Sequence, residues 1–130
     1  MKEFKKYFII PAPPGEVYLA LTNEPTVMLW TGAPAQVDAQ PDGEFSLWDD
    51  SIVGRFIELE PNKKIVQEWY FGEQEEASIV TMKLHEDKKG TSLEVRHINI
   101  PDEAYEDILE GWEDPYMASL IDFYTDDGEE

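Results

Sequence analysis

Residues 109–124, LEGWEDPYMASLIDFY, carry apolar side chains at helical spacing around two residues that disfavour a helix interior. Gly111 costs roughly 1 kcal/mol relative to alanine there, and Pro115 up to about 3 kcal/mol where its missing N–H is needed. Followed upstream, the register continues: Tyr105, Ile108, Leu109, Trp112, Tyr116, Leu120 and Phe123 form one apolar stripe. Asp102 reads as the N-cap, with Glu103 in the first turn. A stripe this apolar must be covered, so a sheet with one apolar face is expected elsewhere in the chain.

That sheet is legible upstream. SIVTMKLHE places Val80, Met82 and Leu84 on one face with Thr81 and Lys83 opposite, and TSLEVRH places Leu93, Val95 and His97 opposite Glu94 and Arg96. PDGEF, EPNKKI and EDKKGTS supply turn chemistry between alternating segments, which predicts strands at about 36–39, 44–48, 51–59, 64–71, 76–85 and 91–98. Near the start, EFKKYFIIPA alternates as a strand, with Phe4, Lys6, Phe8 and Ile10 on one side. PPGEVYLALTNEP then opens with proline, repeats Val17, Ala20 and Leu21 at helical spacing and closes at Asn23, and TVMLWTGAP adds a helical turn ending at Gly32. The expected architecture is α+β: a curved antiparallel sheet of six to seven strands around a long C-terminal helix, with two short helices after strand one.

A second helical stripe, Ala104, Ile108, Gly111, Pro115 and Ala118, flanks the aromatic one, and most of its members are small. One reading is close approach of helix and strand backbones, with Pro115 as the first residue of a restarted turn capped by Asp114. The other is a hollow between helix and sheet, open to a small apolar ligand.

Composition narrows the function classes. With 42% hydrophobic residues in 130, the chain can close one sizeable core, read as a single domain over 1–125 followed by an acidic tail at 126–130. Ten Lys plus Arg stand against 29 Asp plus Glu, a net charge of -19, which repels phosphate backbones and anionic lipid surfaces. Nucleic acid is therefore not an expected partner. Without cysteine there is no disulfide framework, thiolate metal site or thiol nucleophile. The apolar run 7–10 is too short for a signal peptide, and no stretch approaches the ~20 residues that span a bilayer. A cytoplasmic protein without membrane insertion is expected.

Catalytic signatures are sparse. No Gly-x-Ser-x-Gly elbow, phosphate loop or dinucleotide fingerprint occurs, so no cofactor is expected. His85 and His97, the two histidines, fall on opposite faces, which argues against a shared metal. His97, on the apolar face, is the single candidate acid or base, with Asn99 or a tyrosine beside it. Arg96 faces outward by parity; the direction of Arg55 is unresolved, and turned inward it would suit a ligand carboxylate. Trp30, Trp48, Trp69 and Trp112, with Phe56 and Met117, are candidates to line one pocket or simply to fill the core. Val95, His97, Ile108, Gly111 and Leu120 complete the candidate cavity.

Three stretches carry a family resemblance: IPAPPGEVYLALTNEPTVMLWTG at 10–32, GRFIELEPNKKIVQEW at 54–69, and SIVTMKLHEDKKGTSLEVRH at 78–97 followed by the Gly111–Trp112 pair. In order and spacing they resemble the helix-grip, START-like (SRPBCC) superfamily, and within it the C-terminal domain of the activators of the 90-kDa heat-shock-protein ATPase. The resemblance implies a β-α-α-β6-α order and matches the family's tryptophans with Trp30, Trp69 and Trp112. It also implies that Pro115, which interrupts a helix normally unbroken, shifts or widens the mouth of the cavity. Eukaryotic activators carry an additional N-terminal domain that makes much of the chaperone contact, and only the other domain is expected here. Three functions follow as expectations: binding of a small hydrophobic molecule between sheet and helix without catalysis, an acidic interaction surface for a chaperone or other protein, and a small cyclase or hydrolase using His97.

Overall fold

A computed structural model of the chain describes residues 1–48, 50–70 and 77–125. Strand β1 (Lys2–Ile10) is followed by helices α1 (Pro14–Thr22) and α2 (Glu24–Thr31), then by β2 (Gln36–Val37), β3 (Glu44–Leu47), β4 (Ile52–Glu60), β5 (Lys64–Trp69), β6 (Ser78–Asp87) and β7 (Gly90–Ile100). The chain ends in a 3₁₀ turn (Asp102–Ala104), helix α3 (Tyr105–Gly111), a wide turn (Trp112–Met117) and helix α4 (Ala118–Thr125).

All seven strands form one antiparallel sheet in the order β1-β7-β6-β5-β4-β3-β2. From β2 to β7 it is a meander of local connections, and β1 closes onto β7 with Lys6 opposite Val95 and Phe8 opposite Leu93. A bulge between Phe56 and Glu58 breaks the β4–β5 register, a device that bends a strand and adds to sheet curvature. The side-chain period of two does the rest: Val80, Met82 and Leu84 with Leu93, Val95 and His97 are buried on the face that receives the helix.

Local chemistry explains the helix boundaries. Asn23 ends α1 and caps α2, its side chain accepting the Thr26 N–H at 3.1 Å. Gly32 then stops α2 in the left-handed conformation, φ 70°, that glycine adopts without Cβ strain. On the sheet's outer face Arg55 pairs with Glu68 across the strands at 2.8 Å and with Asp42 at 2.6 Å, so it does not turn inward. Arg96 is exposed, as its parity predicts.

Two expectations change. Trp48 does not extend β3: it sits at φ 51°, in the turn to β4, a conformation that bulky residues rarely adopt. Asp102 does not cap a helix with its side chain; it opens a 3₁₀ turn behind Pro101, and the α-helix starts at Tyr105. The terminal helix is interrupted at Pro115, the position at which the sequence suggests a restarted turn or kink. Asp114 is extended (φ -151°, ψ 114°) before a cis Asp114–Pro115 bond, and the missing Pro115 N–H costs nothing where no helical hydrogen bond is formed. The expected strand ends at 71 and 76 and the tail at 126–130 lie outside the described residues.

Candidate functional site

The two flanks of the terminal helix differ. On one, Trp112 is buried against the sheet and stacked on Trp69, with ring centroids 5.0 Å apart and an interplanar angle of 18°. Four residues further on, Tyr116 lies 4.5 Å from Trp112 and also contacts Trp30 at 5.3 Å and Trp48 at 5.9 Å, centroid to centroid. Rings at these separations sit within the range of favourable aromatic pairing.

A buried indole N–H needs an acceptor, and each tryptophan has one. Trp30 donates to the Ala20 carbonyl at 2.7 Å, Trp48 to the Thr31 carbonyl at 3.2 Å, Trp69 to Gln67 at 2.8 Å and Trp112 to Nδ1 of His97 at 3.0 Å. The last bond fixes the histidine. With Nδ1 accepting, the ring proton sits on Nε2, 2.7 Å from Ser78 Oγ, whose own proton goes to the Ile98 carbonyl at 3.2 Å. Burial away from water lowers the His97 pKa from its ordinary value to about 3, so the ring is neutral at physiological pH. His97 thus serves as the acceptor that lets Trp112 be buried.

On the other flank lies a cleft of about 540 Å³ between α3, the wide turn and the β3–β4 corner. Of the candidate residues the structure brings Trp48, Trp69, Ile108, Gly111 and Trp112 together in its wall. Trp30, Phe56, Val95, His97, Met117 and Leu120 do not line it; they are packed into the adjoining core, and the Phe56 ring lies tilted 5.3 Å from that of Phe45. Ser51, Ile52, Asp107, Pro115 and Tyr116 line the cleft without having been singled out as its lining. Their signals were present: Asp107 and Pro115 each stand four residues from Gly111, and Tyr116 four from Trp112, the spacing that shares a helix face.

Gly111 decides between the two readings of the small-residue stripe. Its backbone is ordinary right-handed helix, φ -62° and ψ -31°, and a Cβ there would meet, beyond its own helix backbone and chain neighbours, no atom of the described residues within 4 Å. Glycine is not needed for close approach or for conformation, so its side chain's absence contributes open volume. Asp114 and Pro115 act in the same sense, because the extended residue interrupts the rod at the cleft wall. Opposite, Trp48 is held in its strained conformation by the Thr31 carbonyl and by edge contact with Trp30 at 5.8 Å. Tyr116 lines this wall; its buried hydroxyl has no hydrogen-bond partner among the described residues and has its pKa raised by burial, so it stays a neutral phenol.

A curved antiparallel sheet gripping a C-terminal helix, with two short helices after the first strand, defines the helix-grip class. Residues 11–122 match the family described as activator of Hsp90 ATPase homolog 1-like protein, and the chain belongs to that family. It is 33% identical over 111 residues to the human activator of 90 kDa heat shock protein ATPase homolog 1, a match covering 82% of this chain and 32% of the relative. The chain thus spans about a third of the length of that relative. Among solved structures, an HSP90 activator from Plasmodium falciparum superposes with a TM-score of 0.82 at 28% identity, covering 91% of this chain and 92% of the other. The fold is shared with the Aha1 dimer of Colwellia psychrerythraea, TM-score 0.81 at 16% identity, covering 95% and 96%. Among the described residues no helix is long and apolar enough to cross a membrane.

Proposed function

We propose that this chain is a non-catalytic binding domain whose cleft beneath the terminal helix takes up a small, largely apolar molecule. The observation that carries this reading is the empty space at Gly111 beside a wall of aromatic rings. A volume of about 540 Å³ lies within the range of small-molecule sites, about 300–1,000 Å³. Catalysis is disfavoured by the state of His97, which is neutral, buried and engaged at both ring nitrogens. Titration of tryptophan fluorescence with lipids, sterols and flavonoids tests the reading: saturable quenching is expected in the wild type and its loss in Gly111→Leu. A flat response of the wild type to every compound rejects it.

The human relative favours a second reading, contact with an Hsp90-type chaperone through the acidic surface. Stimulation of a chaperone ATPase by the purified chain is the direct assay. A contact of charge with charge weakens as salt rises, so stimulation that is lost between low and high salt supports the acidic surface as the contact. No stimulation at low salt rejects this reading.

A further inference from the structure

Resting on the cleft-binding reading, we propose that the preferred occupant is an organic cation: a positively charged nitrogen carried on an apolar or aromatic body. Three features of the cleft point the same way. Its walls are aromatic and aliphatic side chains, chiefly Trp48, Trp69, Trp112, Tyr116, Ile52 and Ile108, and the rings of tryptophan and tyrosine attract cations through their quadrupole. Among the described residues its one acidic lining residue is Asp107, which makes no ion pair or hydrogen bond with any of them, and no lysine, arginine or histidine among them lines it. Asp107 stands one helical turn before Gly111, whose missing side chain leaves open space in the same wall.

Tyr116 supplies the second, independent observation. Every indole N–H around the cleft has a protein acceptor, whereas this hydroxyl, 97% buried, has no partner among the described residues. Buried hydroxyls left unpaired are rare, and a neutral phenol offers a lone pair to an ammonium N–H or its ring face to a quaternary nitrogen. The exterior adds direction. A net charge of -19 raises the local concentration of cations and opposes anions, so a fatty-acid or other carboxylate ligand meets repulsion both on approach and at Asp107.

Three probes of similar size separate charge from shape: phenyltrimethylammonium, its neutral carbon isostere tert-butylbenzene, and the anion benzoate. Binding is measured by tryptophan fluorescence and calorimetry to the wild type, Asp107→Asn and Gly111→Leu. The expected result is that the cation binds roughly 5- to 10-fold tighter than the isostere, with the anion weakest. Asp107→Asn, an exposed position outside the packed core, reduces cation affinity and leaves tert-butylbenzene unchanged; Gly111→Leu abolishes binding of both. Equal affinity for cation and isostere overturns the proposal and leaves the cleft reading standing. Binding of the cation that survives Gly111→Leu means adsorption to the acidic exterior, and overturns it as well. No binding of any probe overturns the proposal, and the cleft reading falls with it only if lipids, sterols and flavonoids also leave the fluorescence unchanged.

Discussion

Residues 111 and 112 are neighbours in sequence and opposites in environment. Trp112 is 1% exposed, stacked on Trp69 and hydrogen-bonded to His97, while a Cβ at Gly111 would meet open space among the described residues. The contrast separates the task of anchoring the helix from the task of leaving room beside it. Anchoring needs a large ring with its polar atom satisfied in a dry place; room needs a missing side chain and a rod that does not run straight. The helix achieves both because a 100° step between consecutive residues points them at different surroundings.

The largest effect is expected on the anchoring side. Trp112→Ala removes a fully buried ring, strips the stacking partner from Trp69 and leaves His97 Nδ1 without its donor, so stability to urea should fall by about 3–5 kcal/mol. Trp112→Phe keeps most of the packing and loses the N–H, at an expected cost of about 1–3 kcal/mol for the orphaned acceptor. A loss below about 1 kcal/mol for the alanine variant would break the comparison, since the two flanks would then matter alike.

His97 tests the same flank through pH. Its folded-state pKa of about 3 lies below the ordinary 6.5, so between those values the unfolded chain binds a proton that the native chain does not. The contribution of His97 is therefore fully present above about pH 6.5 and is lost as pH falls towards 3, with a slope of up to about 1.4 kcal/mol per pH unit. The acidic surface acts oppositely over part of this range, because protonating carboxylates relieves self-repulsion at a net charge of -19. The informative quantity is the difference between wild type and His97→Asn, whose amide oxygen still accepts from Trp112. Stability of the variant should depend less steeply on falling pH, and parallel curves would show that His97 is not held neutral by the fold.

How much of this was legible beforehand follows from the kind of information each feature needs. The sheet and its covered face were readable because Val80, Met82, Leu84, Leu93, Val95 and His97 alternate without exception, and a period of two admits one geometry. The cleft was half legible. Gly111 and Ile108 announced a thin helix flank, but Phe56, Val95 and Leu120 share the same apolar face, and pattern alone does not say which rings close the core and which stand at its edge. Trp48 was placed on a strand because its residue type favours one; the turn at φ 51° is a tertiary override, enforced by the Thr31 carbonyl and the rings it touches. Asp102 carried a capping signal that Pro101 redirected into a 3₁₀ turn. Tyr116 belongs to the buried stripe by its spacing, but whether its hydroxyl finds a partner depends on three-dimensional packing that no spacing records.

The smallest effect sharpens the open flank most directly. Gly111 has helical φ and ψ and, its own helix backbone and chain neighbours aside, no atom of the described residues within 4 Å of a Cβ placed on it, so Gly111→Ala loses unfolded-chain entropy without a clash and should stabilise the protein by about 0.5–1 kcal/mol. Gly54 provides the opposite case within the same molecule. A Cβ there comes 2.0 Å from the Glu68 carbonyl oxygen and 2.9 Å from the Phe45 ring, so Gly54→Ala must displace a neighbouring strand and should destabilise the fold. Measured side by side in urea, the two substitutions should differ in sign. If Gly111→Ala destabilises as Gly54→Ala does, the space beside the helix is occupied in solution, and the cleft closes along with every proposal that places a ligand in it.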